Sequence, residues 1–294
     1  MFVDAIERVD TFTRPMHSIV RLYGHDAVVP GTATLFFVNQ EGYAITCKHV
    51  AELIDQADTI HQHHRSFQGA HRDILRNKNY THLLSQLENK FKLSADTIIR
   101  VRNSFIGCVD QYTKIAIESH PTQDLAILHF EGYNRLLYRS YATFLGDSSL
   151  VKAGRSLCRL GYPFPEFNNF HYNPSKDDIE WVATGRTTSP RFPTDGIITR
   201  LISEKSGITG IEMSTPGLRG QSGGPLFDPK GLVYGMQSST RHLHMGFDIE
   251  DREVMVNGRK SRVSNYPFLN VGQCVHVDVI KTFLLEKGVK FYEG

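Results

Sequence analysis

The chain has 294 residues, 40% of them hydrophobic and 22% charged, the proportions of a globular protein with room for one large domain or two small ones. Its 33 Lys and Arg against 31 Asp and Glu leave a formal net charge of +2, which argues against a nucleic-acid surface or an acidic tail. No apolar run approaches the roughly 18 to 20 residues of a membrane helix, and MFVDAIERVD alternates apolar and charged residues instead of forming a signal-peptide core.

Most of the chain reads as short strands rich in β-branched and aromatic residues, each closed by turn formers. SIVRLYG, GTATLFFV and YAITCKHV come first, and NQEG at 39–42 reads as a hairpin turn ending in glycine. From about residue 51 to 95 the pattern changes. Tyr80, Leu83, Leu84, Leu87 and Phe91 recur at the three-to-four spacing of an amphipathic helix, so this segment is a helical insertion in a β-protein, its apolar stripe expected to pack on the strands. Strands resume with TIIRVRNSFI, YTKIAIES and LAILHF, then SLCRLGY, IEWVATGRTT, IITRLIS and ITGIEMS. The turn DPKG at 228–231 precedes GLVYGMQSS and QCVHVDV. VDVIKTFLLEKG predicts a C-terminal helix over about 278–288, capped by Asp278 and ended by Gly288. Many closely spaced short strands without alternating long helices favour a barrel or sandwich. Cys47, Cys108, Cys158 and Cys274 are widely separated and include no CxxC pair, which points to a reducing cytoplasm instead of a disulfide scaffold.

In RGQSGGPLF, residues 219–227, glycines flank Ser222 where something must approach the backbone closely or the backbone must turn sharply. A nucleophilic serine needs a base to take its proton and an acid to hold that base. YAITCKHVAE ends a strand with His49, whose imidazole suits the base near neutral pH, and HPTQDLAILHF puts Asp124 just before an apolar strand. The amides of Gly220 and Ser222 are then candidates to bind an oxyanion. Taken singly, each has a plainer reading: Ser222 as part of a Gly-rich turn, and, more often than a catalytic role, His49 as a half-buried histidine and Asp124 as a turn residue that starts a strand. Asp96, Asp110 and Glu118 are rival acids without the DLAIL pattern. The run HQHHR with His61, His63 and His64 fits no zinc spacing and reads as a solvated helix face. Neither a metal nor an organic cofactor is expected.

His49, Asp124 and Ser222, in that order, resemble the trypsin-like serine proteases of the chymotrypsin fold, with the HtrA type nearest. GTATLFFVNQEGYAITCKHV is similar to that family's first hairpin and histidine strand, DLAIL to its aspartate strand, LGYPF to the opening of its second barrel and GLVYGMQSS to the strand beside the substrate. The resemblance implies an all-β protein of two antiparallel six-stranded β-barrels: residues 1–136 with His49, Asp124 and the helical insertion, and residues 137–294 with Ser222 and the C-terminal helix. It also implies that Ser238 sits near Asp124 and that Ser239 and Thr240 pair with the substrate backbone. Pro216, with Leu218 in the same substrate-binding set, would stand at the base of the primary pocket. Proline there, where trypsin has the aspartate that selects Lys and Arg, implies a small or medium apolar substrate residue. Val50 follows the histidine where many secreted trypsins carry cysteine, and no PDZ domain is expected after the last helix.

The implied activity is a serine endopeptidase acting on protein or peptide substrates through an acyl-enzyme. The insertion is a candidate docking face for a regulatory protein, as the alternative to its packing on the barrels, and neither nucleic acid nor membrane is expected as a partner. The alternatives are a catalytically silent peptide- or partner-binding module of the same fold, and an esterase, since G-x-S-x-G also marks the α/β-hydrolase elbow. Pro225 directly downstream, with the acid and base upstream, argues against the esterase.

Overall fold

The computed structural model describes residues 1–25, 27–205, 207–256 and 258–294. A short helix α1 (Val3–Asp10) leads into β1 (Thr13–Leu22), β2 (Val28–Phe37) and β3 (Tyr43–Thr46). Three helices follow, α2 (Lys48–Asp55), α3 (Ala57–Ile74) and α4 (Tyr80–Phe91), then β4 (Ile98–Phe105), β5 (Lys114–Ser119) and β6 (Ala126–Glu131). The six strands form one antiparallel sheet in the order β4-β1-β2-β3-β6-β5. Every residue from Ala33 to Phe37 is buried, because one face of β2 fills this sheet's core while the other meets the second half of the chain.

The second half contains β7 (Thr143–Phe144), β8 (Ser156–Gly161), β9 (Phe170–Asn173), β10 (Asp178–Trp181), β11 (Phe192–Glu204), β12 (Gly207–Met213), β13 (Pro225–Phe227) and β14 (Val233–His244). After these come β15 (Ile249–Val256), β16 (Arg259–Asn265), β17 (Phe268–His276), helix α5 (Val277–Glu286) and β18 (Tyr292–Glu293). Strands β13-β8-β11-β12-β17-β14 are neighbours in that order, and β14 pairs back onto β13, closing a six-stranded antiparallel ring. The short β7 and β18 add to it in parallel, because α5 reverses the chain and lays its end along residues 143–144. A continuous apolar core runs through both halves, from Leu35 and Phe37 to Leu226, Met236 and Phe283. Among the described residues, no helix is long and apolar enough to cross a membrane.

Several details depart from the sequence expectations. The apolar stripe of α4 lies against α3, which in turn lies along β4. Phe91 meets Phe67 edge-on at 5.6 Å, and Phe67 meets Tyr23 at 5.5 Å. The insertion therefore builds its own small core before it meets the sheet. His64 of the HQHHR run faces inward and is buried, not solvated. The cap of α5 is the His276 side chain, which accepts from the Asp278 amide at 3.2 Å, so the helix starts one residue earlier than expected. Between β14 and β17, where the sequence reading marked no element, β15 and β16 form an antiparallel hairpin.

Candidate active site

Strand pairing alone brings His49 and Asp124 together. Thr46 at the end of β3 is in register with Ala126 at the start of β6, so the residues just beyond that edge, His49 in the first turn of α2 and Asp124 in the preceding loop, emerge side by side. His49 Nδ1 lies 2.9 Å from Asp124 Oδ2 and 3.0 Å from Oδ1, and the His49 amide donates to Oδ1 at 3.1 Å. The Ser238 hydroxyl of β14 donates to Oδ2 at 2.7 Å. Burial opposes the charge on Asp124, but the bonds from His49, Ser238 and the His49 amide outweigh it and hold the carboxyl down to about 2. The same bond raises the His49 pKa, with burial working the other way. The His49 side chain is 53% exposed and Asp124 30%, so the imidazole opens to solvent while the carboxylate lies behind it.

Ser222 comes from the other half of the chain, and Thr34 of β2 joins the two. The Thr34 amide donates to the Ser222 carbonyl at 2.9 Å, and Thr34 Oγ1 donates to the Gly220 carbonyl at 2.8 Å. Gly223 has φ +86°, and a Cβ there would stand 2.0 Å from the Thr34 carbonyl oxygen, so only glycine allows this approach. Gly220 has φ +97° and closes a tight turn in which the Gln221 amide donates to Leu218 O at 2.9 Å. Ser222 Oγ donates to Ser238 O at 3.4 Å and is not hydrogen-bonded to His49, although both residues line one cleft. Hydrogen bonds between such groups are often long or unformed in the absence of substrate. The Gly220 and Ser222 amides have no acceptor among the described residues.

That cleft has a volume of about 580 Å³, within the range of ligand sites. Pro216, Leu218, Ser239 and Thr240 are among the residues that line it, and Thr240 Oγ1 donates to Gly217 O at 2.7 Å. The edge of β14 beyond Gln237 that faces away from β17 pairs with no other strand among the described residues.

The trypsin-like peptidase domain family matches residues 31–236, more than half of the chain and all of the elements that carry His49, Asp124 and Ser222. The chain belongs to this family. No curated protein sequence matches it significantly. Among solved structures, this trypsin-like chain is similar to the HtrA-type protease AlgW with decapeptide, at 14% identity and a TM-score of 0.47, covering 98% of this chain and 69% of that one. The same protease with tripeptide gives 14% identity and a TM-score of 0.46, covering 98% and 65%. The trypsin-like chain thus spans about two thirds of the length of these neighbours.

Sequence reading missed the residues that hold the trypsin-like site together. Thr34 gave no signal, because nothing in GTATLFFV marks one threonine as a joint. Gln221 is fully buried. Its Oε1 accepts from the Leu218 amide at 3.0 Å, and its Nε2 donates to Thr194 Oγ1 at 2.9 Å and Phe192 O at 3.1 Å. It therefore braces the turn carrying the Gly220 amide. Gln221→Ala is expected to lower kcat roughly tenfold to a hundredfold with KM little changed, since it loosens a donor whose full loss costs about a hundredfold or more. Steady-state kinetics on a fluorogenic peptide checks this.

Cys47, His49 and Asp124 offer ligand-type atoms within 4.8 Å of one another. Burial first, then Asp124, pushes the Cys47 thiol well above its ordinary pKa, and its Sγ points at Gln237 O, 3.2 Å away. A metal held by all three would need a thiolate, whereas burial keeps the Cys47 thiol protonated. The cluster suits proton handling better than metal binding.

Proposed function

We propose that the protein is a serine endopeptidase in which Ser222 attacks a peptide carbonyl, His49 takes and returns the proton, and Asp124 stays ionised to hold the imidazolium. The observation that carries this reading is the meeting, in one cleft, of a carboxylate-bound histidine and a serine whose own amide and that of Gly220 have no acceptor among the described residues. In the cycle, the Ser222 hydroxyl passes its proton to His49 as the oxygen bonds to the carbonyl carbon, and the Gly220 and Ser222 amides stabilise the resulting oxyanion. His49 then protonates the leaving amine, the C–N bond breaks, and water repeats the sequence on the acyl-enzyme. The free edge at Ser239 and Thr240 favours an extended peptide as substrate, bound by strand addition. We place the protein in a reducing compartment, since all four cysteines are free and buried.

Reaction with a fluorophosphonate probe tests the proposal. Stoichiometric labelling is expected at Ser222, and labelling at another residue or none at all would overturn it. The pH profile offers an independent check. A protonated His49 cannot act as base, so kcat/KM falls as pH drops through the His49 pKa, which hydrogen bonding to Asp124 lifts above its ordinary 6.5. Asp124, held near 2, contributes no ionisation above about pH 3. With a substrate that does not itself titrate, a single acid limb with its midpoint above 6.5 is expected; a midpoint below that value contradicts the assignment.

A further inference from the structure

Arg159 of β8 is among the largest fully buried side chains, at 0% exposure, and it has no carboxylate partner. Among the described residues no acidic oxygen lies within 4.0 Å of its guanidinium. Its hydrogen bonds go to neutral acceptors instead: Nη1 to Gln237 Oε1 at 2.6 Å, and Nη2 to Thr215 Oγ1 at 2.6 Å and Thr215 O at 3.0 Å, with Nε unpartnered. Burial pushes its pKa below the ordinary value, yet a guanidinium remains charged at any physiological pH. A buried cation without an anion is costly and destabilising on its own.

Its location supplies a reason for keeping it. Gln237 lines the cleft beside Ser222, and because Arg159 takes its carbonyl oxygen, the amide nitrogen is the end turned the other way. One Nε2 hydrogen goes to Ser239 O at 2.8 Å. Nε2 is also the atom nearest the cleft wall at Gly217, where an added Cβ would stand 2.2 Å from it. On the other side, a Cβ at Gly272 would stand 2.3 Å from Arg159 Nη1, so bare backbone at both positions leaves space for the arginine and its relay. Arg159 polarises the amide it binds, strengthening the N–H groups on the far side. The cleft lining includes Arg219 and His242 and no acidic residue.

We propose that the pocket beside Ser222 selects peptides with an acidic residue, glutamate above all, on the acyl side of the bond cleaved, with Arg159 supplying the charge and Gln237 relaying it. The proposal rests on the peptidase reading above and replaces the small or medium apolar preference that Pro216 implied. An aliphatic side chain there would cover the remaining polarised N–H without satisfying it. A carboxylate both accepts from it and supplies the missing counter-charge. Arg159 is in this sense a positioning residue, acting through Gln237.

The test uses peptides identical except for Glu, Gln or Leu at that residue. With the native protein, kcat/KM for the Glu peptide is expected to exceed that for Gln or Leu by about tenfold or more; equal rates or a Leu preference would overturn the proposal. Arg159→Met is expected to bring the Glu-to-Gln ratio to about one while the Gln peptide is still cleaved, and Arg159→Lys to keep part of it. A merely structural role would lower both rates together and leave the ratio in place, and that result also counts against the proposal. Fluorescence anisotropy with Ser222→Ala reads the same Glu-over-Gln preference as affinity, independently of turnover and without need of the Arg159 variants. Tight Glu-selective binding without fluorophosphonate labelling of the native protein would sink the peptidase reading alone. Labelling with aliphatic selectivity would sink this inference alone.

Discussion

Ser222→Ala is expected to abolish fluorophosphonate labelling and to lower kcat/KM by about five to six orders of magnitude. The loss is this large because no other hydroxyl is assigned a place beside both His49 and the Gly220 amide, so what remains is substrate binding plus oxyanion stabilisation of attacking water. His49→Ala should cost about as much, and the double variant little more than either single one, since a nucleophile without its base and a base without its nucleophile fail at the same step. The fold should be nearly unaffected. The Ser222 hydroxyl makes one long contact, to Ser238 O at 3.4 Å, so the unfolding free energy should change by under about 1 kcal/mol. Active-site labelling, progress curves and denaturant titration on the same preparations check all three statements. A Ser222→Ala protein that still turns over peptide at a tenth of the parent rate would place the chemistry elsewhere.

Asp124→Asn is expected to lower kcat by about four orders of magnitude while leaving the geometry almost unchanged. The carboxylate accepts from His49 Nδ1, the His49 amide and Ser238 Oγ, which leaves the imidazole Nε2 as the proton acceptor toward Ser222. An asparagine nitrogen in that place donates instead, so His49 adopts the other tautomer and turns an N–H toward the serine. The same change removes the anion that lifts the His49 pKa, so the acid limb of the residual activity should move to lower pH. Rate and midpoint must shift together; a large loss of rate with an unmoved midpoint would mean that Asp124 acts only on the fold. The Ser238 and His49 amide bonds also lose their charged acceptor, so a drop in stability of about 1 to 3 kcal/mol is expected at neutral pH.

The three residues proposed for catalysis could be named from the sequence because their signals are contiguous. RGQSGGPLF, ITCKHV and QDLAIL each pair a reactive side chain with the local backbone it needs, and the order of the three carries a resemblance that no single motif does. Strands with a buried face were equally readable, since alternation or a continuous apolar run is the direct imprint of burial. The hairpin of β15 and β16 was not, because nearly every residue in it faces solvent and its sole marker is an Asn-Gly pair between the strands. Helix α1 escaped for another reason: eight residues with no side-chain cap acquire their conformation by packing Ala5 and Val9 on the core, not by local preference.

By itself, then, the sequence determined the fold class and the strand-rich order with its helical insertion, and it named His49, Asp124 and Ser222 as the residues proposed for catalysis. Only the tertiary structure decided which distant residues meet. Arg159, in SLCRLGY, is of a type that normally lies at the surface, and its partners, Thr215 just after β12 and Gln237 on β14, lie 56 and 78 positions away. Thr34 and Gln221 likewise matter only because register and ring closure carry them to the joint beneath Ser222. Periodicity and turn chemistry act over a few residues and therefore show in the sequence, whereas partner choice follows from packing the whole core and does not.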